Sequence, residues 1–220
     1  MAQFRAEVKD GLDEKGTMLQ PFGLSLGIDN DQFIPWREAL FSKYEMILLV
    51  EGDADKEYLE LLRHDDHGAK KLNFRGEIIA YGGRDTLKQR FLLNFLRRKC
   101  KKCFVTFDLD SVEELEYVFK DLGLESGKDY CPVGVDESGR RTIEGLLPDR
   151  IRSSVFGANH ELVQQTMFGT KSEQVSAKNR LKRLMLDEFK KTAKAGDDDY
   201  REFYSLAKVL NKAFGNDTAR

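Results

Sequence analysis

Two short apolar runs in this chain end in carboxylates. Met46–Val50, MILLV, leads into Glu51-Gly52-Asp53-Ala54-Asp55, and Cys103–Phe107, CFVTF, leads into Asp108-Leu109-Asp110. Apolar runs of this length read as buried parallel strands. In open α/β sheets, ligands bind beyond the carboxyl ends of the strands. Glu51 and Asp108 are therefore placed for chemistry, with Asp55 one turn into the following helix. A further acid, Glu144, sits in the apolar setting Arg141–Pro148, RTIEGLLP. Together Glu51, Asp55, Asp108, Asp110 and Glu144 suit a hard divalent cation, Mg2+ or Mn2+, which takes oxygen ligands. Clustered acids repel one another, and a cation makes the cluster tolerable. Helix capping is the competing explanation for Asp55 and Asp110, but it does not explain why Glu51 and Asp108 come first after their strands.

The elements that must hold these acids follow in order. Pro35–Tyr44 reads as a helix with proline at its first position and Trp36, Leu40 and Tyr44 on one face. Gly16–Gly27 before it mixes apolar and glycine residues without clean periodicity. After Asp55 a helix runs to about Arg63, with Tyr58, Leu59 and Leu62 inward. His64-Asp65-Asp66-His67-Gly68 reads as an exposed helix-exit loop. Glu77–Tyr81, EIIAY, is a strand that opens into Gly82-Gly83-Arg84, where glycines permit close backbone approach at the edge that carries Glu51. Thr86–Arg98 is a helix with Leu87, Phe91, Leu92 and Phe95 inward. Ser111–Leu122 is another, with acids at its start that suit the helix dipole. Asp129–Val135 is a fourth strand whose proline places it at a sheet edge.

Strand–helix alternation of this kind argues a mostly parallel α/β sheet of about four strands flanked by helices. From Asp149 onward the pattern is helical only. Short helices run to Phe168, Gly169-Thr170-Lys171 breaks them, and Ser176–Thr192 and Tyr200–Phe214 follow. The inward residues of these last two are Leu181, Leu184, Met185 and Phe189, then Phe203, Leu206, Val209, Leu210 and Phe214. Lys178, Arg180, Lys182 and Arg183 crowd the first half of the longer helix. They read either as a solvated face or as cations near the acids that stabilise a phosphoryl transition state. The chain then divides into an N-terminal segment 1–44, a core 45–150 and a helical extension 151–220.

Composition bounds the classes. The 220 residues carry 36 Lys+Arg against 38 Asp+Glu, a net charge of −2. Such a balance does not announce a bulk polyanion binder, so nucleic acid would be met by local basic patches. No apolar run reaches the roughly 18 residues of a membrane span, and the first 16 residues lack the apolar core of a signal peptide. Three cysteines, an odd number, argue against a disulfide framework and for a reducing, cytoplasmic setting. Cys100 and Cys103 form a lone CxxC that precedes a strand, so it reads as chance spacing rather than a redox or zinc element.

These acids and their order resemble the Toprim superfamily, which pairs a Glu ending its first core strand with a DxD ending a later one. LLVEGDADKEYL is similar to the first motif and IIAYGGRDTL to the intervening strand, over about residues 46–150. Within that superfamily the chain most resembles the C-terminal nuclease domain of OLD-family endonucleases. RTIEGLLP, SAKNRL from Ser176 and the final YREFYSLAKVLNKAF fit that order. The resemblance implies a Rossmann-like fold and DNA cleavage with two metal ions about 4 Å apart. It implies Glu51, Asp55, Asp108, Asp110 and Glu144 as ligands, with Glu51 alternatively the base. It also implies a catalytic lysine, Lys178 first and Lys182 second. Gly82, Gly83, Arg84 and Lys182 would meet substrate. OLD proteins place an ATPase domain before this one, and the chain contains no GxxxxGK[ST] loop. It is then a free-standing nuclease, a piece of a longer protein, or a subunit working with a separate ATPase. A role in phage defence or repair is a further implication of the resemblance, a homo-oligomer is left open, and RNA stays open beside DNA.

Two rivals stand beside this expectation. FVTFDLDSV also resembles the nucleophile strand of haloacid-dehalogenase-type phosphatases, but Asp197–Asp199, the late acids such a fold would use, follow no strand. Some Toprim domains only bind partners or nucleic acid, and a weak or missing metal site would favour that reading.

Overall fold

The computed structural model describes residues 30–215, with side chains from Trp36 onward. The chain forms two compact units, residues 1–43 and 44–220. In the first, helix α1 spans Asn30–Phe41. It begins five residues before Pro35, so the proline lies within the helix instead of opening it. Trp36 and Leu40 are buried, whereas Tyr44 falls beyond the helix end and is exposed. The glycine-flanked stretch 16–27 and the extreme N-terminus lie outside the described residues.

The second unit is built on four parallel strands: β1 (Met46–Val50), β2 (Glu77–Ala80), β3 (Lys102–Asp108) and β4 (Tyr130–Val133). Their order is β2-β1-β3-β4, and every pair is parallel. The α/β class read from the sequence is thus the observed one, with β4 and its Pro132 at an edge where a missing N–H costs no ladder bond. Chain order reverses direction between β1 and β3, so this is the sheet's switch point. Glu51 and Asp108, the acids that end these two strands, flank it.

Side chains alternate across each strand. Leu48, Val50, Ile78 and Phe104 share one continuous core with helix α2 (Asp53–Leu61) and with the C-terminal helices. On the opposite parity, Phe107 packs against Phe119 and Tyr130, with ring centroids 5.3 and 5.8 Å away. Helix α3 (Arg84–Leu87) is a single turn, and the chain breaks at Lys88–Gln89 before α4 (Arg90–Lys99). The break rotates the phase of the apolar stripe. Leu92, Leu93 and Leu96 become buried, while Phe91 and Phe95, expected inward, stand exposed. Helix α5 (Val112–Asp121) leads to β4.

The remaining helices are α6 (Asp149–Ala158), α7 (His160–Phe168), α8 (Lys171–Thr192) and α9 (Arg201–Ala213). No helix among the described residues is long and apolar enough to cross a membrane. Helix α8 starts five residues earlier than its apolar pattern suggests. Thr170 and Glu173 form a reciprocal cap there, with Thr170 N–H donating to Glu173 Oε2 at 2.8 Å. Phe189 and Phe203, from α8 and α9, close on Tyr58 of α2 at centroid distances of 5.8 and 5.3 Å. Phe214 stacks on Phe74 at 4.6 Å. The C-terminal helices therefore complete the core of the sheet. Val209, expected inward on α9, is partly exposed.

The His64–Gly68 segment is a correction. It forms a short 3-10 helix, Asp65–Lys70, and His67 is buried against Tyr200 at 4.6 Å between centroids. His67 Nδ1 lies 2.8 Å from Tyr204 Oη, whose oxygen accepts the Gly196 N–H at 2.8 Å. Aromatic residues some 135 positions downstream supply the framework that the local sequence does not show.

Burial holds the His67 pKa below its ordinary value. A histidine with a lowered folded pKa contributes stability that is complete above about pH 6.5 and is lost as the pH falls through the folded value. The variant His67→Gln should unfold roughly 2–4 °C below wild type at pH 8, as expected for about 1 kcal/mol in a chain of this size. That gap should narrow between pH 6.5 and 5 in thermal unfolding followed by circular dichroism. A gap independent of pH would remove the histidine's part in the junction.

Candidate functional site

Beyond the carboxyl ends of β1 and β3 lies an open cleft of about 1190 Å³. Glu51, Asp108 and Asp110 reach it from the strands, Glu144 from the 3-10 turn Ile143–Leu146, and Gly82, Gly83 and Arg84 from the end of β2. Lys178 and Lys182 reach it from α8. Nine of the ten residues singled out by sequence thus line one cleft. The tenth, Asp55, stands behind it. It is buried and turned to its own helix start, where its Oδ2 accepts the Gly52 N–H at 3.2 Å. The capping explanation is therefore correct for Asp55 as far as its hydrogen bond goes. Asp110 is exposed on the 3-10 turn that follows β3, and its Oδ1 accepts from the Ser111 hydroxyl at 3.1 Å.

Each inner carboxylate is held by a short-range donor. Glu51 Oε2 accepts the Asp108 N–H at 3.4 Å, which ties the ends of β1 and β3 together. Asp108 Oδ1 accepts the Ile143 N–H at 3.2 Å, which draws in the segment carrying Glu144. Glu144 Oε2 accepts from the Thr142 hydroxyl at 2.7 Å and pairs with Lys182 Nζ at 3.4 Å. Its other oxygen, Oε1, is buried and has no hydrogen-bond partner. An unpartnered buried carboxylate oxygen is costly. The glycine turn reaches the same place, since Gly82 and Gly83 N–H both donate to the Glu51 carbonyl, at 3.1 and 3.2 Å. Both glycines have positive φ, 80° and 106°, a conformation other residues avoid.

The segment that delivers Glu144 is packed too closely for side chains at its glycines. A Cβ on Gly145 would lie 1.9 Å from the Arg140 carbonyl oxygen. The Arg140 guanidinium closes the loop by donating to the Gly145 carbonyl through Nε and Nη2, at 3.0 and 2.9 Å.

The electrostatics are those of a crowded, desolvated set of acids. Burial, then the Glu144 charge, pushes Asp55 up to about 7. Burial, then Asp55 and Glu51, pushes Asp108 up to about 9. Glu51 is also raised, chiefly by burial. Lys182 is the counter-charge in their midst. Burial works against its charge, but Glu144, Asp108 and Asp55 more than compensate and hold its pKa above the ordinary value. Lys178, the sequence's first choice, is exposed toward the rim, whereas Lys182 makes the ion pair with the acids.

Sequence reasoning missed Thr142, Arg141 and Arg152. Thr142 holds Glu144, and the two arginines join the cleft lining. The i+2 spacing of Thr142 and Glu144 was the only available signal. Among the described residues, no three His, Cys, Asp or Glu side chains converge closely enough, as they stand, to hold a metal ion. The late acids needed by a phosphatase of the dehalogenase type are not in the cleft, and Asp199 is paired with Arg150. Cys103 is buried, which pushes its thiol up to about 12 and away from the reactive thiolate. Comparisons with protein-family models, with curated proteins and with solved structures found no match for this chain.

A carboxyl whose folded pKa is raised stabilises the fold most below its unfolded value, near 4, and that contribution is lost as the pH rises to the folded value. With Asp55 near 7 and Asp108 near 9, the unfolding midpoint in EDTA should fall as the pH is raised from 5 to 9. Asp108→Asn should flatten the upper half of that fall. Added Mn2+ should raise the midpoint at pH 8.5 and leave it unchanged at pH 5. A midpoint that climbs with pH, or a Mn2+ effect undiminished by Asp108→Asn, would contradict this electrostatic account.

Proposed function

We propose that this chain is a Mg2+- or Mn2+-dependent nuclease of Toprim type that hydrolyses phosphodiester bonds in DNA. One observation carries the reading: Glu51, Asp108 and Glu144 are desolvated together at the switch point of a parallel sheet, with one Glu144 oxygen unpartnered and the half-buried Lys182 paired with Glu144. Burial and the neighbouring acids raise the Asp108 carboxyl, and such a site calls for a cation. Glu51, Asp108 and Glu144 would hold it, with Asp110 at the solvent side, and it would supply Lewis-acid charge to the phosphate. Asp55 acts from behind, fixing the start of α2 and adding negative potential.

The residues themselves do the rest. Glu51, fixed by the Asp108 amide, would accept the proton of an attacking water where Asp108 and Glu144 alone hold the cation. Lys182, held by Glu144, neutralises charge that develops on the phosphate oxygens. Its ion pair with the acids makes it a better candidate for this role than Lys178, which is suited to binding the flanking backbone together with Arg84. The second reading, a module that binds nucleic acid without cutting it, is favoured by the lack of a ready-made metal-binding group among the described residues. An ATPase partner belongs to the nuclease reading alone.

Supercoiled plasmid incubated with Mg2+, Mn2+, Ca2+ or EDTA separates the two. Nicking or linearisation is expected with Mg2+ or Mn2+ and should vanish in Asp108→Ala. Lys182→Ala should lower the rate about 100-fold or more, the usual loss when a charge-stabilising donor is removed. Lys178→Ala should cost about tenfold or less. Plasmid binding without cleavage under any metal would select the binding module, and equal losses at the two lysines would undo the assignment of Lys182.

A further inference from the structure

The lip of the cleft carries apolar side chains that the chemistry of the acids does not use. Helix α7 buries none of its residues. At its end Met167 and Phe168 are 67 % and 84 % exposed, and Val175, on the first turns of α8, is 59 % exposed. Thr166 and Val175 line the cleft itself, so the patch is continuous with the site. Along α8, residues 171, 175, 178 and 182 recur at i, i+4, i+7 and i+11 and share one face. That face reads Lys171, Val175, Lys178, Lys182 from lip to floor. At 1.5 Å per residue it is about 16 Å long, the length of about five stacked nucleotides at 3.4 Å each.

A basic track that begins at an exposed aromatic and ends at buried acids matches a polyanion with a flat apolar face on each unit. Asp108 and Glu144, on the floor, are only 6 % and 5 % exposed. Stacking on an exposed ring needs a base whose face is free, which an unpaired strand offers and an intact duplex does not. We infer that the α7–α8 lip is a stacking platform for an unpaired nucleic-acid strand, with Phe168 taking a base while Lys178 leads the backbone to the acidic floor. This inference rests on the nuclease reading for the meaning of the floor, but its test does not need cleavage.

The probe is a 15-nucleotide single strand carrying 2-aminopurine, compared with the same strand fully paired, titrated with the full chain in EDTA. Wild type should quench the 2-aminopurine and bind the single strand more tightly than the duplex. Phe168→Ala should weaken single-strand binding roughly 5- to 100-fold, the usual worth of one stacked base, and abolish the quenching. Phe168→Trp should restore both, and duplex binding should not change. Equal loss on single strand and duplex, no loss on either, or no single-strand binding by wild type would overturn the platform. So would self-association in sedimentation that Phe168→Ala abolishes while oligonucleotide binding stays intact, since that would make the lip a protein interface. If quenching depends on Phe168 but plasmid cleavage fails, the platform stands and the nuclease reading falls. If cleavage holds without any Phe168 effect, the reverse is true.

Discussion

The structure is organised around the burial of like charges. Glu51, Asp55, Asp108 and Glu144 are drawn from sequence positions nearly a hundred residues apart into one poorly solvated place. Burying a single carboxylate is unfavourable, and burying several together adds their mutual repulsion. The fold meets this with donors aimed inward: the amides of Gly52, Asp108 and Ile143, the Thr142 hydroxyl and the Lys182 ammonium. Glu144 Oε1 is left over. On the proposed reading, that buried acceptor without a partner is where a cation would be met.

Holding such a set requires a stiff frame, and the frame comes from elements far apart in sequence. Parallel pairing of β1 with β3 fixes where Glu51 and Asp108 emerge. The loop after β4 folds back so tightly that Gly145 has no room for a Cβ, and Gly134 would place one 2.6 Å from the Arg141 backbone. The Arg140 guanidinium then locks that loop by donating to the Gly145 carbonyl. Glu57 on α2 is gripped by Arg183 and Lys190 of α8, which sets α8 against the sheet. These contacts are at least partly exposed and individually weak, but the aromatic core of Tyr58, Phe189 and Phe203 beneath them is not. That core converts a helix register into the position of Lys182.

Much of this was legible in the sequence because it rested on local patterns. Apolar runs ending in carboxylates gave the strands and their edge, and period-3.6 stripes gave most helices. What was hidden depended on distant partners or on phase. Phe91 and Phe95 looked inward because a helix was assumed unbroken from Thr86, and the two-residue break at Lys88–Gln89 turned them out. His67 looked exposed because the tyrosines that cover it lie on the far side of the chain. The choice between Lys178 and Lys182 could not be made from spacing, since both fall on one face of α8. The structure distinguishes them by their neighbours, since Lys182 pairs with Glu144 while Lys178 is exposed. Asp55 shows the opposite case: a cap and a site acid have the same sequence signature, and here one residue does the first while sensing the second.

Helix α8 brings these strands together. Leu181, Met185 and Phe189 are spaced four apart and bury one stripe in the core. Lys182 lies about 100° round from Leu181, as any neighbour on a helix does. The stripe that faces the acids is therefore rigidly tied to the stripe that faces the aromatic core. Leu181 and Met185 serve both, since they also line the cleft. A change of volume at either position would rotate or lift the helix, and Lys182 would move with it. In this architecture the electrostatics of the cleft are a consequence of core packing. The lysine is brought to the acids by the hydrophobic burial of its neighbour, and its attraction to Glu144, Asp108 and Asp55 then more than offsets the partial loss of water around its charge.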